Sequence, residues 1–151
     1  MTILKILQYP NKNLRKEAKK VIKVDRYIKK IIQDMFETMY YTKGIGLAAT
    51  QVNIHKRIIV IDITKSRNQK LVFINPKLLK YSGSIKMQEG CLSIPNKFAY
   101  VKRYKNIKIS ALDENSRYFE IKAKDLLSVC IQHEIDHLFG KLFIDRISEN
   151  L

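Results

Sequence analysis

The chain has 151 residues, of which 46% are hydrophobic and 28% are charged, a balance that is typical of one globular domain and excludes a disordered chain. No apolar run approaches the ~18 residues of a membrane helix, and the apolar N-terminal stretch is too short for a signal peptide. Two cysteines are too few for a disulfide framework. We therefore expect a single domain over residues 1–151 that works in the cytoplasm. The net charge of +15 fits weak association with a polyanion such as ribosomal RNA, or a lysine-rich composition alone, because the basic residues are scattered and form no nucleic-acid-binding motif.

The first half of the chain predicts an amphipathic helix followed by two strands. Apolar side chains recur with a period of 3.6 across residues 25–43, with Asp25 as the expected N-cap and Gly44 near the end. Residues 57–63 and 71–74 are rich in branched apolar side chains, which favours strands.

The second half predicts a hairpin and a buried helix. Residues 106–112 and 118–123 alternate in polarity on either side of the polar segment 113–116, a pattern that is typical of a β-hairpin. Residues 125–139 are apolar on nearly every face and precede Gly140, which indicates a buried helix that ends at the glycine. Together these elements predict an α+β fold, with antiparallel sheets packed around the central buried second helix and an N-terminal amphipathic helix.

The second helix carries two histidines at the spacing of a metal site. His133 and His137 are four residues apart, so they project from one face a single turn apart and can share one metal ion. Glu134 lies next to the first histidine, where it can act as a general base toward a water molecule. Chance placement is the plain alternative, but unused polar side chains on a buried helix are costly. The motif therefore predicts a metal-dependent hydrolase.

A third ligand must come from elsewhere in the chain. In one class of zinc proteases a third histidine follows at the position of Phe143, which cannot bind a metal here. Glu149 is too close to the chain end to be a rigid ligand, and we expect His55 to lie exposed in a loop. Cys91, which follows Gly90, would complete a Cys/His/His set with one position open for water. The alternative is that Cys91 is a small buried apolar side chain.

A segment with two glycines at residues 44–51 follows the first helix. It is not a dinucleotide-binding loop, because such a loop follows a strand. Two interpretations remain open: a flexible helix end, or a backbone surface for an extended substrate to which Gln51 offers its side-chain amide.

Three segments, in this order, resemble the hallmark motifs of the peptide deformylase family. They are GxGLAAxQ at residues 44–51, EGCLS at 89–93 and QHExDHLxG at 132–140, and the sequence matches every hallmark position. The resemblance covers nearly the whole chain. It implies a hydrolase that removes the formyl group from the N-terminal formyl-methionine of nascent polypeptides and releases formate.

The resemblance also implies roles for individual residues. One divalent metal ion per chain, ferrous iron in many members and replaceable by zinc or nickel, would be held by Cys91, His133 and His137. Glu134 would carry the proton from water to the leaving amine, while the Gln51 amide and the Leu92 backbone N–H would donate to the oxyanion. Substrate-binding candidates are Gly44, Ile45, Gly46, Leu92 and Cys130.

The sequence departs from the family pattern at three places. Phe98 stands where many members have arginine, which bears on peptide preference, and Asn53 replaces a glycine, although asparagine also tolerates positive φ. The third motif ends close to Leu151, whereas some bacterial members dock on the ribosome through a C-terminal helix, so we expect any docking to use the basic surface. Two other classes remain to be compared: a general zinc endopeptidase and a structural zinc module, for which Cys130 is poorly placed as a fourth ligand.

Overall fold

The structure is a computed structural model that describes residues 2–147. Within that range the chain forms two helices and seven strands, together with three short 3-10 helices. In chain order the main elements are α1 (Arg26–Tyr41), β1 (Gly46–Ala48), β2 (Ile58–Ile61), β3 (Leu71–Ser82), β4 (Ile85–Cys91), β5 (Ile94–Arg103), β6 (Asn106–Leu112), β7 (Tyr118–Lys124) and α2 (Asp125–Leu138). The 3-10 helices are Lys12–Arg15, Ala49–Val52 and Phe143–Arg146.

Helix α1 begins and ends where the sequence pattern predicts. The Asp25 side chain accepts a hydrogen bond from the Ile28 N–H at 3.0 Å and so caps the first turn. At the other end Lys43 adopts a positive φ of 61°, and the Gly44 N–H donates to the Met39 carbonyl at 2.9 Å. The left-handed residue that reverses the chain is therefore Lys43, one position before the glycine.

The strands form two antiparallel sheets. The larger has five strands in the order β1-β2-β3-β6-β7, so β1 lies at one edge, and the smaller pairs β4 with β5. The predicted hairpin is confirmed as β6 and β7, whose turn is held by the Asp113 carboxylate. Strand β2 is shorter than the strand predicted at residues 57–63, whereas β3 is longer than the one predicted at 71–74. A bulge around Asn75, at φ 53°, lets β3 continue to Ser82.

Helices α1 and α2 cover opposite faces of the five-stranded sheet. Alternate residues of β2 enter two different cores, Ile58 and Val60 with α1, and Ile59 and Ile61 with α2. All four side chains are fully buried. This layering explains the continuous apolar sequence of β2 and confirms the α+β fold with a central buried helix.

The buried character of α2 is incomplete in its first turn. Leu126 is 37% exposed, whereas Ile131 and Leu138 are fully buried. Gly140 ends the helix at a φ of 75°, as predicted, and a Cβ there would collide with the Arg15 carbonyl. Among residues 2–147, no helix combines the length and the apolar character needed to cross a membrane.

Candidate metal centre and active site

Three potential metal ligands meet where the end of β4 lies against α2. Cys91 is the last residue of β4, and His133 and His137 lie one turn apart on α2. Ligand atoms of the three residues all lie within 4.8 Å of one another, and the described part of the chain contains no other such group of His, Cys, Asp or Glu. The structure thus brings together the three ligands expected from the sequence.

The distance between Cys91 Sγ and His137 Nε2 would allow both atoms to bind one ion. Cys91 Sγ lies 3.4 Å from His137 Nε2, and two such ligands at ordinary zinc-like bond lengths would stand roughly 3.6 Å apart. Burial lowers the pKa of His137 well below its ordinary value, which keeps the imidazole in the neutral form that binds metals. The site therefore suits one divalent cation held by a thiolate and two imidazoles.

Glu89 fixes the orientation of His133. Its carboxylate accepts a hydrogen bond from His133 Nδ1 at 2.9 Å, so Nε2 is left to face the ligand cluster. The same carboxylate accepts two hydrogen bonds from Arg103, at 2.6 and 2.9 Å. Arg103 also donates to Asp136 at 2.9 Å, and Asp136 accepts from Arg146 at 2.6 Å. Sequence reasoning missed this chain of charges, although Glu89 stands in the second motif.

The charges around His133 and Glu89 set their protonation. Burial works against the ionised form of both, but the hydrogen bonds from His133 and Arg103 outweigh it and hold the pKa of Glu89 below its ordinary value. For His133, burial is outweighed by nearby negative groups, Glu134 foremost, which raise its pKa to about 10. A metal ion at Nε2 would therefore take the place of a proton.

Glu134 lies in the same space with one oxygen unpartnered. Its side chain is buried, Oε2 is 4.0 Å from His133 Nε2, and Oε1 has no hydrogen-bond partner among the described residues. Burial, the largest influence, raises its pKa to about 7. Gly46 makes room for it, since a Cβ at that position would lie 2.7 Å from Oε2. A buried carboxylate with a free oxygen is suited to proton transfer.

Gln51 is held rigidly beside the cluster. Its Nε2 donates to Ser93 Oγ at 3.2 Å and lies 3.6 Å from Cys91 Sγ, while Oε1 accepts from the Ala48 N–H at 3.0 Å. Leu92 occupies the tight turn between Cys91 and Ile94, which are paired across β4 and β5. The Gln51 amide thus lies next to the potential ligand Cys91, and the Leu92 backbone is adjacent to the same residue.

A cavity of about 490 Å³ opens in front of these groups. All five predicted substrate-binding residues line it, as do Gln51, Cys91, His133 and Glu134. Sequence reasoning missed the apolar lining residues Met87, Leu126 and Val129. Two of them precede the metal-binding residues by one or two helical turns, and that spacing is the signal that could have identified them.

The remaining candidates lie outside the ligand cluster. His55 lies in a loop, as expected, but it is half-buried and its Nε2 donates to the Asn13 carbonyl at 2.9 Å, so the expected exposure was wrong. Phe143 is buried and stacks on the His133 ring at a centroid distance of 6.1 Å. Cys130 is buried in the cavity wall and is not part of the cluster. Glu149 lies outside the described residues. Asn53 adopts a φ of 62°, which agrees with its expected tolerance of positive φ.

Known proteins resemble the chain along nearly its full length. The family model described as Polypeptide deformylase matches residues 3–151. A peptide deformylase of Hamiltonella defensa subsp. Acyrthosiphon pisum (strain 5AT) is 56% identical over 148 residues, which is 98% of this chain and 86% of that protein. Among solved structures, the peptide deformylase from Legionella pneumophila has a TM-score of 0.95 at 42% identity, with 98% of this chain and 88% of that chain covered. The Synechococcus elongatus peptide deformylase in complex with actinonin has a TM-score of 0.94 at 43% identity, covering 97% and 82%.

Proposed function

Because the chain belongs to the polypeptide deformylase family, whose members are metal-dependent hydrolases that remove the N-formyl group from nascent polypeptides, we propose which of its residues carry that reaction. Residues 1–151 act as a single catalytic domain. Cys91, His133 and His137 hold one divalent ion, Fe(II) in the cell, with Zn(II) or Ni(II) as working substitutes. The observation that carries this assignment is the convergence of one thiol and two imidazoles within 4.8 Å of one another, with Cys91 and His133 in the cavity wall.

An ion held by these three residues would supply Lewis-acid chemistry: it would lower the pKa of a water molecule, so that hydroxide would be available near neutral pH for attack on the formyl carbon. Glu134 accepts the proton of that water and returns it to the leaving amine. Two features support this role: Oε1 has no other partner among residues 2–147, and a pKa near 7 suits a group that must both accept and release a proton.

Gln51 and Leu92 stabilise the negative charge that develops on the formyl oxygen. Gln51 Nε2 donates one hydrogen to Ser93 Oγ and the other to Cys91 Sγ at 3.6 Å, and the long bond to sulfur is the one it would exchange for the formyl oxygen. The Leu92 N–H, adjacent to the thiol, is the second donor. One such donor is worth roughly 3–4 kcal/mol in the transition state.

The peptide lies as an added strand along the free edge of β1. Because the Asp62 N–H donates to the Ile45 carbonyl and Gly46 is paired with Ile61, the alternation of an antiparallel ladder turns the Gly46 N–H and C=O away from β2. Main-chain bonds to these groups hold substrates of varied sequence. The methionine side chain enters the apolar end of the cavity, against Ile45, Leu92 and Cys130 together with Met87, Leu126 and Val129.

The test is an assay of formate release from formyl-Met-Ala-Ser. Glu134→Ala should lower kcat by roughly 10²–10⁴-fold while metal analysis still finds one ion per chain, and Cys91→Ser should lose both metal and activity. Glu114→Ala, on the exposed β6–β7 turn, is the matched control. Full activity in Glu134→Ala would contradict the assigned base. Cleavage of internal bonds in unblocked peptides would favour an endopeptidase instead.

Two further proposals concern the native metal and where in the cell the enzyme acts. Ferrous iron predicts higher specific activity after anaerobic than after aerobic preparation, since a thiolate-bound Fe(II) site is readily oxidised.

The enzyme works in the cytoplasm, and its charge of +15 supports weak association with ribosomes. Co-sedimentation with ribosomes at low salt should then decline steeply as salt is added, and its absence at low salt would contradict the association.

A further inference from the structure

Phe98 is a large apolar side chain left uncovered at the rim of the active-site cavity. It is 65% exposed and lines that cavity, and its ring packs directly on the backbone of Gly90. A Cβ at Gly90 would lie only 2.7 Å from Cε1 and 2.9 Å from Cδ1 of the ring. The ring therefore lies with its Cδ1–Cε1 side against Gly90, the residue that precedes Cys91.

The pleat of β4 determines which side of the strand Phe98 covers. Glu89 points to His133, and Cys91 points to His137, so both face α2. Gly90, between them, presents the opposite face, and that is the face on which the Phe98 ring lies. The cavity thus has a helix side, which contains the metal ligands, and an outer side, where Phe98 forms an apolar surface.

An extended substrate between β1 and β4 would present alternate side chains to these two sides. The edge of β4 that does not pair with β5 has no other strand partner among the described residues, and residues of both β4 and β1 line the cavity. When the first side chain, methionine, enters the pocket on the α2 side, the second side chain must point to the outer side. It then lies over the exposed ring.

We propose that Phe98 makes this enzyme prefer formyl-methionyl chains whose second residue is aromatic or aliphatic. The inference rests on the proposed function and adds a specificity residue to it. Two cations compete with this preference, because Lys43 and Lys97 also line the cavity and would attract an acidic side chain. The ring is fixed against Gly90 beside the proposed substrate path, whereas both lysines are exposed to water.

The test compares kcat/KM for formyl-Met-Xaa-Ser with Phe, Leu, Ala or Asp as Xaa. Wild type should favour Phe and Leu over Ala by about three- to tenfold, the range of one aromatic contact. In Phe98→Ala this ratio should fall to about two or less. Tyr100→Ala is the matched control, because Tyr100 lies on the same face of β5, is 46% exposed and does not line the cavity, and it should keep the ratio.

Peptide affinities are then measured with Glu134→Ala and with Glu134→Ala/Phe98→Ala, which give the same comparison of Phe with Ala without turnover. These affinities separate this inference from the proposed function. Formate release and binding without any preference for Phe over Ala would overturn the role of Phe98. A preference for Asp would assign selection to the lysines, and a preference that appears only in a third-position series would overturn the assigned register. Preferential binding without formate release from wild type would leave the specificity surface standing and contradict the proposed function.

Discussion

A single methyl group at Gly46 should disable the enzyme without unfolding it. Gly46 lies on β1, and a Cβ added there would be 2.7 Å from Glu134 Oε2 and 2.9 Å from Cys130 Sγ. Ordinary contact begins at 3.4 Å, so Oε2 must move from 2.7 to 3.4 Å, a displacement of about 0.7 Å. Both neighbours are side-chain ends that can rotate away, so Gly46→Ala should fold. The carboxylate, however, would leave the position from which we propose that it exchanges protons.

The size of the loss follows from that displacement. A misplacement of about 1 Å at a reacting group costs on the order of 100-fold in rate, so Gly46→Ala should lower kcat by roughly 30- to 100-fold. Formate release from formyl-Met-Ala-Ser measures kcat, and thermal unfolding and metal content show whether the fold and the ion are retained. Gly44→Ala is the matched comparison, because its Cβ would meet only the Leu92 side chain, 2.7 Å from Cδ1, and should cost less than tenfold in kcat. If folded, metal-loaded Gly46→Ala kept kcat within threefold of wild type, Glu134 would not act from its observed position.

Three further changes test the surroundings of the site. Glu89→Gln should weaken metal binding by about 10- to 100-fold in a competition titration with a chelator, because the charged partner that orients the first histidine is lost; unchanged affinity would contradict that role. Burial and the hydrogen bond to Asp62 raise the pKa of Tyr40 to about 12, so this tyrosine stabilises the fold below pH ~10 and the contribution is lost as pH rises through 12. The stability advantage of wild type over Tyr40→Phe in denaturant unfolding should therefore shrink between pH 10 and 12, and a constant difference would refute it. Gly140→Ala should lower the free energy of unfolding by roughly 1–3 kcal/mol, because Gly140 has a φ of 75° and a Cβ would collide with the Arg15 backbone; an unchanged denaturation midpoint would show that the backbone can adjust.

The elements that the sequence predicted are those with a strong local pattern. Helix α1 has a full apolar stripe and an N-cap, and the β6–β7 hairpin alternates around a polar turn. The β4–β5 sheet was missed because its pattern is weak. Most of β5 is exposed, with polar and aromatic side chains mixed along it, and only Glu89 of β4 is buried. Without that sheet, neither the position of Phe98 nor the outer wall of the cavity could be inferred.

The residues of the site also divide into those with a local sequence pattern and those without one. The residues proposed to bind the metal or contact the reacting atoms stand in short motifs, so spacing and resemblance indicated His133, Glu134 and His137 together. Arg103 is outside every motif, and its role depends on β5 lying beside both β4 and α2. Such long-range contacts leave no local pattern in the sequence, which is why the residues that orient the ligands emerged only from the fold.

The chain of charges behind His133 is best understood as an orienting device. A buried ion pair is weak evidence for stability, because desolvation offsets most of the attraction. Here Arg103 is 6% exposed and lies between the carboxylates of Glu89 and Asp136, while Arg146 partners the second carboxylate. Two cations and two anions cancel, so the network adds no net charge behind the metal ligands. The network instead fixes the orientation of the histidine. Arg103 holds both carboxylate oxygens of Glu89 in place, so that one of them is a fixed acceptor for His133 Nδ1.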